Sequence, residues 1–132
     1  MNSKSMALLA KAALEEKQGM DPLILDIRKL TQVADYFVVA HGNSDRHVRT
    51  LADAVVDWFR AKQMDPAHVE GMREQKWILL DYGSVIVHVF HRDTRSFYNL
   101  ERLWGEAPRV TGHPKRAHRR KTLKKVSRGP RP

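Results

Sequence analysis

The chain of 132 residues contains no cysteine. That removes disulfides, thiolate nucleophiles and cysteine-ligated metals together, and it fits a reducing compartment. No apolar run approaches the ~18 residues that a membrane span needs. The opening stretch, MNSKSMALLAKAALEEK, is interrupted by Lys11 and Glu15, which suits an amphipathic helix and not a signal peptide. A cytoplasmic protein without membrane contact is the economical expectation. Catalytic motifs are missing as well. There is no Asp-x-Asp or Asp-x-Glu, the spacing that turns two carboxylates toward the same metal ions from one strand. There is also no Walker A sequence, no G-x-G-x-x-G and no G-x-S-x-G. Acidic residues stop at Glu106.

That last absence divides the charge. The formal net charge is +9, but residues 1–107 hold 14 Lys+Arg against 15 Asp+Glu, one negative charge in excess. Residues 108–132 hold ten Lys+Arg and no acid. The expected organisation is therefore one near-neutral domain over residues 1–107, followed by a basic tail over 108–132. The tail has almost nothing apolar to bury, and disorder is the expectation for it. Hydrophobic residues make up 42% of the chain, enough for a single modest core.

Apolar periodicity supplies the elements. Ser3 or Ser5 can cap a first helix to about Lys17, with Leu9, Ala10, Ala13 and Leu14 inward and Gly19 ending it. Leu23 to Ile27 reads as a strand introduced by Pro22. Tyr36 to Ala40 reads as a second strand, continuously apolar and so covered on both faces. Ser44 caps a helix from about Asp45 to Lys62, on which Val48, Leu51, Ala52, Val55 and Phe59 repeat at three and four residues. A short strand near His68 to Glu70 precedes a hairpin of Trp77–Leu80 and Val85–Phe90, turned by Asp81-Tyr82-Gly83-Ser84. Phe97, Leu100, Leu103 and Trp104 then fall at helical spacing behind Asp93. The order α-β-β-α-β-β-β-α predicts an α/β layer structure with a mixed sheet.

Seven histidines raise the question of a metal. His88 and His91 are three apart and point to opposite faces of a strand. His41 and His47 have no local carboxylate pair beside them. No metal site and no cofactor is expected, and the chain does not read as an enzyme. Recognition is the remaining option. Tyr and Trp favour interfaces, where they bring apolar area and a polar handle. Phe97 and Trp104 fit a core. For Trp77, core and surface stand level. Tyr82, at a turn tip between Asp81 and Gly83, is expected to be exposed. Tyr98 points away from Phe97 around its helix.

The segments Ala34–Val39, Gly42–Val48, Glu70-Gly71, Trp77, Asp81-Tyr82-Gly83, Val87–Phe90 and Phe97–Trp104, collinear over roughly residues 4 to 107, resemble the ribosomal silencing factor family, also called Iojap-like proteins. One position departs: Ser84 stands where family members usually carry an acid. The resemblance implies a mixed β-sheet flanked by helices, of nucleotidyltransferase-like shape without that fold's catalytic carboxylates. It also implies a translation repressor that binds the large ribosomal subunit through ribosomal protein number fourteen. There it blocks the small subunit sterically when nutrients are short. Carried onto this chain, the partner-binding role falls on Trp77, Asp81, Tyr82, Tyr98 and Asn99. The free protein would be a monomer or homodimer. The alternative is a general RNA-binding or ribosome-assembly module, with Lys115, Arg116, Arg119, Arg120, Lys121, Lys124 and Lys125 contacting ribosomal RNA phosphates.

Overall fold

The computed structural model describes residues 1–93 and 108–110. Asn2 opens the first helix, α1 (Ser3–Glu16), by accepting a hydrogen bond at Oδ1 from the Ser5 amide, 2.8 Å away. The cap is thus Asn2 and neither of the two serines. The helix closes on a Schellman motif. The Gly19 amide donates to the Leu14 carbonyl (2.7 Å) and the Gln18 amide to the Glu15 carbonyl (2.9 Å). Gln18 takes the left-handed conformation (φ 63°), while Gly19 is small because a side chain there would press on Leu14 and Leu51.

Strand β1 (Met20–Asp26) starts three residues earlier than its apolar run and contains Pro22. Proline fits because the register slips between Met20 and Leu23, with Asp21 at φ 52°, so no ladder bond is asked of its missing N–H. β2 (Tyr36–Gly42) is buried from Tyr36 through Ala40, as its unbroken apolar character predicts. Ser44 caps α2 (Asp45–Arg60), its Oγ accepting from the His47 amide at 3.0 Å. β3 (His68–Glu70), β4 (Trp77–Asp81) and β5 (Val85–His91) complete the described elements. The helix expected beyond Asp93 lies outside the described residues.

The five strands form one mixed sheet in the order β1-β2-β5-β4-β3. The central pair β2–β5 is parallel, and the other pairs are antiparallel. Both helices cover one face, where Leu14, Leu51, Val55 and Phe59 meet Ile24, Val38, Ile78, Leu80 and Val87. The opposite face carries a second cluster of Leu25, Ile27, Phe37, Val39, Ile86 and Phe90. Period-two alternation sorts β5 between them, Val85, Val87 and Val89 one way and Ile86 and Phe90 the other.

Residues 108–110 revise the expected boundary of the body. Pro108 accepts from the Asp26 amide (2.8 Å), the Val110 amide donates to Ile24 (2.9 Å), and Arg109 bridges Leu25. The segment pairs along the outer edge of β1, so the first three residues assigned to the tail belong to the folded body.

Candidate docking face

Trp77, Leu79 and Asp81 alternate with the core residues Ile78 and Leu80 along β4, so they share the face turned away from the helices. Across the ladder, His68 lies opposite Asp81 and Glu70 opposite Leu79. Their side chains therefore continue the same face to the β3 edge, with His68 Nε2 2.6 Å from Glu70 Oε2 and both residues exposed. This arrangement is an apolar strip at Trp77 and Leu79 next to carboxylates at Asp81 and Glu70.

The loop into β4 is tightly specified. Gly71 has φ 86°, and a Cβ there would overlap the Trp77 carbonyl oxygen, so only glycine lets the loop fold back onto the start of the strand. At the other end, Asp81 Oδ1 accepts from the Gly83 amide (2.7 Å), and the Tyr82 amide donates to the Val85 carbonyl (2.9 Å). The Asp81 carboxylate thus closes the hairpin turn while remaining half-exposed.

Trp77 is half-buried. Its ring packs 5.0 Å from Phe90, and its Nε1–H donates to His88 Nδ1 at 3.1 Å. His88 is 4% exposed and meets Phe37 edge-on at 4.6 Å. An indole can only donate, so Nδ1 must be the unprotonated nitrogen, and the neutral ring carries its proton on Nε2. That Nε2 is buried with no hydrogen-bond partner. Burial pushes the His88 pKa down to about 4, because there is no water or counter-charge to stabilise the imidazolium.

The structure separates Tyr82 from this face. Its ring stacks on Phe59 of α2, with centroids 4.1 Å apart, on the helix side of the sheet. Its hydroxyl is buried without a partner, and burial, then the charge of Asp65, raises its pKa to about 12. The expectation that Tyr82 is exposed is therefore corrected. The turn tip is at the surface, but the side chain is long enough to fold back over the core. Ser84 also turns toward the helices, its Oγ 3.7 Å from the Met6 sulfur. Tyr98, Asn99 and the seven tail cations Lys115, Arg116, Arg119, Arg120, Lys121, Lys124 and Lys125 lie outside the described residues.

His88 is the residue that sequence reasoning passed over. The signal was available, since strand alternation places it between Ile86 and Phe90 on the second face, diagonal to Trp77. His91 points the other way, 3.9 Å from Asp45, which Lys76 also pairs with at 2.9 Å. Among the described residues no cluster of three or more His, Asp or Glu could hold a metal, and no helix is long and apolar enough to cross a membrane. Asp26 is committed to Arg28, which makes bonds of 2.9 and 2.6 Å to its two oxygens and holds its carboxyl below the usual range.

Comparison with known proteins agrees with the collinear segments. A family model described as "Ribosomal silencing factor during starvation" matches residues 1–130. The ribosomal silencing factor of Bacillus subtilis is 46% identical over 108 residues, covering 82% of this chain and 92% of that protein. A mouse protein named "Mitochondrial assembly of ribosomal large subunit protein 1" is 29% identical over 94 residues, 69% of this chain and 41% of its own length. A crystal structure of a Chromobacterium violaceum protein superposes with a TM-score of 0.77 at 37% identity, covering 80% of this chain and 88% of that one. Matched along nearly its whole length in sequence, and over four-fifths of it in fold, this chain belongs to the ribosomal silencing factor family.

Proposed function

We propose that this chain represses translation by docking on the large ribosomal subunit, through ribosomal protein number fourteen, so that the small subunit cannot join. The observation that carries this reading is family membership along nearly the whole chain. The name of the mouse relative supports the choice of subunit for that relative, and the proposal extends it to this chain. The face bearing Trp77 and Asp81 is the docking surface, with Glu70 adding charge complementary to a basic ribosomal protein. Tyr82 supports this face from beneath the hairpin. Tyr98 and Asn99 belong to the same proposed surface by their place in the sequence motif.

The test is subunit joining. Purified protein is added to dissociated subunits and magnesium is restored. More free subunits and fewer joined ribosomes are expected on sedimentation. Unchanged joining while the protein rides on the large subunit would overturn the blocking mechanism.

A further inference from the structure

His88 poses a problem that packing alone does not solve. It occupies a buried position between Ile86 and Phe90 on β5, where an apolar ring would fit the same cluster. It is held neutral there, and it leaves a buried Nε2–H without an acceptor. A buried polar group that is only half satisfied is a burden on stability and calls for an explanation. Its one hydrogen bond is the 3.1 Å acceptance from Trp77 Nε1.

We infer that His88 is a positioning residue for docking, whose Nδ1 pins the Trp77 indole on the sheet face in the orientation that meets the partner. This rests on the reading of the Trp77 face as the docking surface. Phe90, stacked beside the indole at 5.0 Å, limits tilt, but an aromatic contact leaves the ring free to slide or flip in its own plane. A single directional bond from Nε1 removes that freedom, because the flipped indole would bury its N–H against carbon. With the N–H engaged inward, the part of the ring left for a partner is carbon. The contact it makes is therefore apolar, and its polar neighbours are Asp81 and Glu70. Holding one rotamer in advance spares the ordering cost that a free side chain meets on binding. The buried, partly unsatisfied imidazole is then retained for the pose of Trp77 and not for the stability of the core.

The experiment measures binding of full-length variants to purified large ribosomal subunits, alongside thermal unfolding and the Trp77 indole N–H resonance in NMR spectra. His88→Phe keeps a ring and removes both the acceptor and the orphan donor. It is expected to unfold no earlier than the parent, to shift the indole resonance, and to bind about tenfold more weakly, the equivalent of one hydrogen bond's worth of orientation. His88→Asn, which can place an amide oxygen near the position of Nδ1, should restore most of that affinity. In a Trp77→Phe background, which has no N–H to hold, His88→Phe should cause no further loss. Full affinity in His88→Phe, with Trp77→Phe impaired, would overturn the positioning role and leave the docking face standing. So would a folded His88→Asn that binds no better than His88→Phe. If Trp77→Phe binds as the parent does, the docking face itself is wrong, and this role falls with it.

Discussion

At the scale of single residues, the two buried polar atoms without partners, Tyr82 Oη and His88 Nε2, give opposite lessons about substitution. Truncating Tyr82 to alanine removes a ring stacked on Phe59 and should cost roughly 3 kcal/mol of stability. Tyr82→Phe removes only an unsatisfied hydroxyl and should be neutral or slightly stabilising. Chemical denaturation of both variants checks this, and a large loss in Tyr82→Phe would contradict the packing described. His88 adds a pH dependence. Its folded pKa of about 4 lies below the model value of 6.5, so the unfolded chain takes up the proton first. The contribution to stability is complete above pH 6.5 and is lost as pH falls toward 4, by ~3 kcal/mol in all. The difference in melting temperature between parent and His88→Phe should therefore change steadily across that window and stay flat above it. Sequence alone could place Tyr82 at a turn and His88 on a strand. It could not tell that the tyrosine folds inward or that the histidine meets an indole, because both depend on what the opposite element presents.

At the scale of elements, the hydrophobic pattern locates both described helices and all five strands, while their ends depend on backbone chemistry that periodicity does not encode. α1 is capped by Asn2 and closed by a left-handed Gln18, and β1 runs through Pro22 by means of a bulge. Least legible was the pairing of residues 108–110 with β1, since a proline, an arginine and a valine at the head of a basic stretch do not announce a strand. Their role sets a prediction. A chain ending at Val110 should melt like the full-length protein. One ending at Ala107 should lose about 2 kcal/mol, roughly 1 for each of its two ladder bonds. It should also self-associate, because the β1 edge is then open to another strand. Calorimetry and sedimentation of the two truncated chains separate these outcomes. Equal behaviour would mean that the edge pairing contributes nothing.

For the whole molecule, the near-neutral body and the cationic C-terminal stretch invite separate tests. If docking on the large subunit belongs to the Trp77 face, the chain ending at Val110 keeps its preference for large over small subunits. The missing cations then show only in the salt dependence. Phosphate contacts weaken with a log–log slope of about −0.7 to −0.9 for each phosphate neutralised. Binding titrations at several salt concentrations should give a flatter line for the shortened chain. Loss of both affinity and subunit preference would instead favour the RNA-binding reading, in which the tail carries recognition.

The parallel seam between β2 and β5 sets the order in which the molecule can assemble. Tyr36 pairs with Val85, 49 positions later, whereas β4–β5 is a local hairpin and β1–β2 spans one short connection. Local pairs close quickly, but a strand partner so distant must wait for a large loop to be drawn in. Folding therefore has a late, rate-limiting step at the middle of the sheet. Substitutions along Val38 and Val87 should affect that step more than changes in either hairpin. On a ribosome making this protein, the first two strands and both helices emerge well before their central partner does. The face that carries Trp77 gains its support only after β5 has been synthesised and has closed the seam.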